Sequence, residues 1–268
     1  MKKIIAIALV LVMALSLAAC GGSADEKTIT IAASSTPHAE ILAVAKEVLA
    51  KDGWTLEIVE YADYVVPNTV VDDGEMDANY FQHQPYLDTF NAENGTKLVS
   101  VAAIHYEPFG IYTGTKDSID GLAEGDKIAV PNDGSNRARA LLLLEAEGLI
   151  VLKEGVGMEA TVLDIVENPM NLEIVEMEAA QIAGVRDSVA LAVINGNYAL
   201  LAGLNVSKDA IASEDAASVS AQTYANILVV KEGNEATEKT EALKAALFSD
   251  EVKAFINDTY SGAVVPIF

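Results

Sequence analysis

Four short stretches of this chain carry the polar and aromatic side chains from which a binding site could be made. The first is Tyr61-Ala62-Asp63-Tyr64-Val65-Val66-Pro67-Asn68, and the second runs from Asp77 to Leu87 with three aromatics, His83 and two glutamines. The third, Pro131-Asn132-Asp133-Gly134-Ser135-Asn136-Arg137-Ala138-Arg139-Ala140-Leu141, reads as a strand, a tight polar turn and a helix start. Such a turn aims backbone amides at an anion, and a guanidinium nearby adds a bidentate fork for a carboxylate. Arg137 and Arg139 are two apart and point to different sides of a helix, whereas Asn136 and Arg139 share a face. Arg139 is therefore the favoured carboxylate partner and Arg137 a solvated charge; the bland alternative is that both only neutralise an acidic surface. The fourth stretch, Ala192 to Tyr198, ends a strand in Asn195-Gly196-Asn197, and Asn226 starts another. These amides offer donors and acceptors to an amino or carboxyl group, although asparagines at strand ends also serve as plain turn formers.

Catalysis finds little support. The chain has no Gly-x-Ser-x-Gly elbow, and with 40 acidic residues a carboxylate pair arises by chance. His83 near Asp77 suits ligand contact or core better than general-base work. His38, His83 and His105 with a carboxylate could hold a divalent metal, but they lack close ligand spacing, so neither a metal nor a cofactor is expected.

The elements that must position these groups alternate. Thr28–Ala32, Thr55–Tyr61, Asp77–Tyr80, Lys97–Val101 and Phe109–Thr113 read as strands. Between them, helices are expected after Pro37 with the stripe Ile41, Leu42, Ala45, Val48 and Leu49, at Pro67–Asp73 and at Pro85–Asn94. A polar connection, Lys116–Gly125, precedes a fresh alternation: strands at Lys127–Val130, Leu172–Val175 and Leu191–Ile194, helices at Ser135–Gly148, Ala160–Val166 and Tyr198–Leu204. After the polar stretch Asn205–Ser220 come a strand at Asn226–Lys231 and helices at Ala236–Phe248 and Glu251–Tyr260. The pattern predicts an α/β protein with two lobes, mixed sheets and flanking helices. Lobe 1 is expected over 28–114 plus 226–268 and lobe 2 over 115–225, with a ligand cleft between them.

The N-terminal end has the layout of an exported protein's signal. Lys2 and Lys3 precede an apolar run from Ile4 to Leu17, too short to span a membrane, and Leu17-Ala18-Ala19-Cys20 resembles a bacterial lipobox. The expectation is a signal peptide over 1–20, lipidation of Cys20, a small polar tether over 21–27, and a body outside the cytoplasmic membrane; a plain signal peptide is the alternative. Cys20 is the single cysteine, so no disulfide can brace the fold and a hydrophobic core must. Of 17 basic and 40 acidic residues, losing Lys2 and Lys3 leaves 15 against 40, which argues against nucleic-acid partners and adhesion to anionic lipid.

Taken in order, the lipobox, Asp63-Tyr64-Val65…Pro67-Asn68, Asp77-Ala78-Asn79…Phe81-Gln82-His83…Pro85-Tyr86-Leu87, Pro131-Asn132-Asp133…Asn136…Ala138-Arg139-Ala140-Leu141 and Ala192-Val193-Ile194-Asn195…Tyr198-Ala199 resemble the NlpA/MetQ family of methionine-binding lipoproteins over nearly the whole chain. The resemblance implies a type II periplasmic-binding-protein fold and a monomeric substrate-binding lipoprotein. It would deliver L- or D-methionine, or a close derivative, to the permease and ATPase of an ABC importer. It also implies that Tyr64, Phe81 and His83 form the thioether pocket, that Arg139 meets the carboxylate, and that Asn195 and Asn226 anchor the α-substituents. Sulfur against aromatic edges is worth about 0.3 to 1.5 kcal/mol per contact. Tyr61, Tyr80 and Tyr198 are weaker candidates, because aromatics beside strands more often fill core. The role of His38 stays open, as does a metal, another apolar amino acid or a methionine-containing dipeptide as the cargo.

Overall fold

The computed structural model describes residues 27–215 and 223–268; the leader, with Cys20, lies outside the described residues. Six strands make the first sheet: β1 (Thr28–Ala33), β2 (Thr55–Glu60), β3 (Ala78–His83), β4 (Leu98–Tyr106), β12 (Asn226–Lys231) and β13 (Val265–Pro266). Their order is β13-β4-β12-β3-β1-β2, with β1 parallel to β2 and β3, and β12 antiparallel to β3 and β4. The second sheet holds β5 (Gly110–Thr113), β6 (Lys127–Pro131), β9 (Glu173–Met177), β10 (Leu191–Ile194) and β11 (Ala210–Ser213), in the order β11-β5-β10-β6-β9. A small ribbon pairs β7 (Val151–Leu152) with β8 (Ile165–Glu167).

Helices cover the sheets as the apolar stripes require. In α1 (Glu40–Lys51), Ile41, Leu42, Ala45 and Leu49 face inward, 3.6-residue periodicity turned into one buried side. α2 (Val66–Asp72) and α3 (Gln84–Asn94) each carry a proline in the first turn, where no N–H is needed. α4 (Gly134–Ala146) is capped by Asp133, whose Oδ1 accepts from the Asn136 amide at 2.9 Å. α8 (Glu238–Leu247) and α9 (Asp250–Tyr260) close the chain; between α4 and these lie α5 (Ala179–Ile182), α6 (Gly196–Leu201) and α7 (Val206–Asp209). Among the described residues no helix is long and apolar enough to cross a membrane.

Four sequence expectations need correction. Gly110–Thr113, expected with the first lobe, is hydrogen-bonded in the second sheet, Leu191 opposite Thr113 and Ile194 opposite Gly110. The chain therefore crosses between sheets at 107–109. Ala160–Val166 is a short capped turn followed by β8: Thr161 and Asp164 cap each other, and the β-branched Ile165 and Val166 continue as strand. The strand expected to end at Val101 runs on to Tyr106 because β12 pairs with Ala102 and Ala103, overriding the weak strand preference of alanine. The polar stretch after Asn205 likewise contains α7 and β11.

β3 decides where polar groups are buried. It lies between β1 and β12, every residue is buried, and its asparagine, glutamine and histidine must find partners inside. Asn79 donates to Asn68 at 2.9 Å and to the Pro67 carbonyl at 3.1 Å, while Gln82 donates to Asn68 and Asn79. This closed amide cluster holds α2 on the strand and sets the direction in which Phe81 and His83 leave it.

Candidate ligand-binding site

At the carboxyl ends of β3, β6 and β10, where the chain crosses between sheets, the elements surround a narrow cleft. Tyr64, Phe81, His83, Asn136, Arg139, Asn195 and Asn226 all line it, joined by Gln82, Tyr86, Glu107, Gly196 and Asn197. Tyr61, Tyr80 and Tyr198 do not. Tyr80 is fully buried behind the wall, and Tyr198 sits against Tyr64 with ring centres 5.0 Å apart, its hydroxyl donating to the Ala62 carbonyl at 3.0 Å.

One end of the space is aromatic. Tyr64 lies 5.8 Å from Phe81 and 5.6 Å from Tyr86, centre to centre, and its hydroxyl donates to Asn197 Oδ1 at 2.6 Å. That bond links the two sheets' loops. The other end is charged. Arg139, on the cleft side of α4, gives Nε and Nη2 to the Glu214 carboxylate at 2.8 and 2.5 Å and Nη2 to the Glu107 carbonyl at 3.0 Å. Its Cζ lies over the rings of Tyr224 and Phe109, 4.2 and 4.8 Å from their centres. Burial favours a neutral guanidine, but the Glu214 charge and bonds overcome it and hold the group protonated. Burial likewise favours a protonated Glu214, and Arg139 overcomes that, leaving its acid strength increased. Arg137, one turn face away, pairs with Glu176 at 3.2 Å and does not line the space.

A hub of amides joins the lobes' contributions. Asn136 donates to Asp133 and accepts, on one oxygen, from Asn195 Nδ2 at 2.8 Å and from His83 Nε2 at 3.1 Å. His83 Nδ1 accepts from the Tyr86 amide at 3.2 Å as cap of α3. Both ring nitrogens are spent in the neutral form; burial, then the charge of Arg139, pushes its pKa down to about 3. Asn195 lines the space with its Nδ2 so fixed, and its Oδ1 is buried without a hydrogen-bond partner. A buried lone acceptor costs free energy until a donor reaches it.

Glu107 was not anticipated from sequence. It is buried, follows β4 at the crossing, and its side chain packs so closely on Gly196 that a Cβ there would lie 2.6 Å from Glu107 Cβ and 2.7 Å from Oε2. Burial raises its pKa, against the opposing pull of His38 and Arg139. His38, left open above, is buried beside it, and so is His105; the two rings and Glu107 gather potential metal-ligand atoms within 4.8 Å. His83 is not in that cluster. The signal available was the Glu107-Pro108 stop just beyond β4, whose expected end, Val101, falls five residues short of the observed end at Tyr106.

Comparison with known proteins agrees with the geometry. The model of the family described as NlpA lipoprotein matches residues 29–268. The methionine-binding lipoprotein MetQ of Bacillus subtilis is 42% identical over 275 residues, 100% of this chain and 99% of the relative. The D-methionine-binding lipoprotein MetQ of Escherichia coli is 42% identical over 95% of this chain and 94% of its own. Among solved structures, a Ruminococcus gnavus protein provisionally named a lipoprotein is 61% identical with a TM-score of 0.89, covering 90% of this chain and 100% of that one. A nutrient binding protein from Burkholderia cenocepacia bound to methionine is 43% identical with a TM-score of 0.85, again covering 90% and 100%.

Proposed function

The chain belongs to the NlpA lipoprotein family, and on that premise we propose that it is the substrate-binding lipoprotein of an ABC importer, holding methionine between two lobes. The observation that carries this is the polarity of the enclosed space: aromatic rings at one end, and at the other Arg139, Glu107 and the unpartnered Asn195 Oδ1. A zwitterionic amino acid with an apolar tail complements that arrangement. The carboxylate goes to Arg139, whose bonds to Glu214 and Glu107 use Nε and Nη2 and leave Nη1 for a ligand. The ammonium goes to Asn195 Oδ1 and Glu107, and the thioether to Tyr64, Phe81 and Tyr86, with His83 and Asn136 closing the wall.

The lobes divide at 107–109 and again between β11 and β12, a first lobe built on the β1 sheet and a second on the β5 sheet. Closing is a hinge motion that ligand stabilises; Tyr64 to Asn197 and His83 to Asn136 are bonds of the closed form. Cys20 carries the lipid that keeps the body at the outer face of the membrane beside the permease. The protein performs no chemistry on its cargo.

Native mass spectrometry of the purified protein should find bound methionine, and calorimetry with both enantiomers should then order them. Arg139→Ala should weaken binding by roughly tenfold to a hundredfold, the worth of a charged hydrogen bond. Arg139→Lys, which keeps Glu214 paired but loses the fork, serves where the alanine variant folds poorly. Unchanged affinity in both would remove Arg139 from the carboxylate site.

A further inference from the structure

Behind the cleft wall lies a buried chain of polar groups that reaches the cleft at Glu107 and Asn226. On one branch Ser34 Oγ bonds His38 Nδ1 at 2.7 Å, and His38 Nε2 bonds Asn226 Oδ1 at 2.9 Å. On the other the Tyr80 hydroxyl bonds His105 Nδ1, and His105 Nε2 bonds Glu107 Oε1 at 2.7 Å. The branches converge, since His38 Nε2 is 3.6 Å from the same Glu107 oxygen. Ser34, His38, Tyr80, His105, Glu107 and Asn226 are each at most 7% exposed.

The proton positions follow from elimination. Glu107 Oε1 is an acceptor, so a ring nitrogen beside it must carry hydrogen; a lone pair there would face a carboxylate oxygen across a dry gap. His105 is therefore Nε2–H, its Nδ1 accepts, and Tyr80 donates. His38, at 3.6 Å from the same oxygen, is Nε2–H for the same reason, so its Nδ1 accepts from Ser34 and its Nε2–H points at Asn226. Asn226 must then present Oδ1 to His38 and keep its two Nδ2 hydrogens for the cleft. Burial also keeps both rings neutral, which agrees with one proton per ring.

We propose that His38 and His105 are positioning residues that fix the chemical sense of the cleft's head-group end, holding Glu107 as an acceptor and Asn226 as a donor so that the site selects a free α-amino acid. Glu107 Oε1 is committed to His105 and Oε2 lies on the Gly196 side; Glu107, Gly196 and Asn195 all line the cleft, and Asn195 Oδ1 has no hydrogen-bond partner. A carboxylate and an unpartnered amide oxygen in one lining call for a cationic donor, and an N-acylated or des-amino ligand supplies none. This rests on the methionine reading for its ligand, but the proton arrangement is a property of the empty protein. The same three groups could be read as a metal site, yet 2.7 Å between His105 Nε2 and Glu107 Oε1 is the length of a hydrogen bond, and tetrahedral zinc with bonds near 2.0 Å would hold two ligand atoms further apart.

Two measurements test it. Long-range proton–nitrogen spectra of the unliganded protein at neutral pH should show both rings as Nε2–H; with three histidines in the chain, single His→Gln variants assign them. An Nδ1–H or doubly protonated ring at 38 or 105 overturns the arrangement, whatever the ligand. Calorimetry then compares L-methionine with 4-(methylthio)butanoate, which lacks the amino group. His105→Leu should cut the preference for methionine by roughly tenfold or more, through methionine alone, as expected for a lost charged contact, and His105→Gln should restore it by donating from its amide. Equal weakening of both ligands, or failure of glutamine to rescue, means that His105 only supports the fold, and stoichiometric zinc in the purified protein would replace the proposal with a metal site. If the wild type bound neither compound, the methionine reading would fall while the ring spectra still judged the network.

Discussion

Acidification should destabilise this protein well before its carboxylates titrate, because all its histidines are buried neutral. Burial, as the leading cause, lowers His38 from 6.5 to about 4 and His83 and His105 to about 3. In the unfolded chain each takes up a proton near 6.5, whereas the native state refuses it. The unfolded state thus binds more protons, and stability falls as pH falls, starting at the unfolded value and ceasing only near the native ones. Between about pH 7 and about pH 5.5 each ring costs about 1.2 kcal/mol, so three remove about 4 kcal/mol, a large part of a typical domain's stability. Glu107 and the half-buried Asp133, both raised by burial, act in the opposite sense, but two groups hold at most two protons against three. Urea unfolding followed by circular dichroism at several pH values measures this directly, with an unchanged m-value showing that the unfolded state is the same. A ΔG of unfolding that is flat or rises as pH drops from 7 to 5.5 would refute the reasoning, since it requires at least one ring to be charged in the native state. The His83→Gln variant should lessen the slope by about one proton, or roughly 1.4 kcal/mol per pH unit.

Other perturbations probe the same site. Glu214→Gln leaves the Arg139 charge buried with no counter-ion, their side chains being 10% and 5% exposed, and should cost about 3 kcal/mol or more. Calorimetric melting should then fall on the order of 10 °C, and a change within a degree would mean that the pair contributes nothing. Gly196→Ala sets a methyl against Glu107 and should cost about 1 to 3 kcal/mol by overpacking while weakening methionine binding by calorimetry. Gly184→Ala, with nothing within 4 Å of the added methyl, is the control that should melt as the wild type does.

Much of this fold was legible because each helix stripe and strand run is a local property. The buried side of α1, the Asp133 cap and the prolines of α2 and α3 are written in spacing and residue type, and short-range sterics read them without help from the rest of the chain. The same holds for the seven expected residues among the twelve that line the cleft: they sit near strand ends and helix starts, which an α/β chain brings to one edge. Sheet membership was not local. Gly110–Thr113 joins the second sheet because Leu191–Ile194, some eighty residues away, offers it an edge. Two alanines in β4 became strand because β12 lies beside them. Glu107, His105 and His38 therefore stayed hidden as one unit, since nothing in their spacing says that a turn after β1, the end of β4 and Asn226 meet.

What the residues alone determined is the class, an α/β binding protein of a lipoprotein family whose polar side chains gather at strand ends and helix starts. What the tertiary structure decided is the sense of each anchor. It paired Arg139 with Glu214, spent the histidine rings on hydrogen bonds and left the Asn195 oxygen open. The physical reason is burial: in water each of these groups would bond freely, and only in a dry interior must every donor and acceptor be accounted for by a partner that folding supplies.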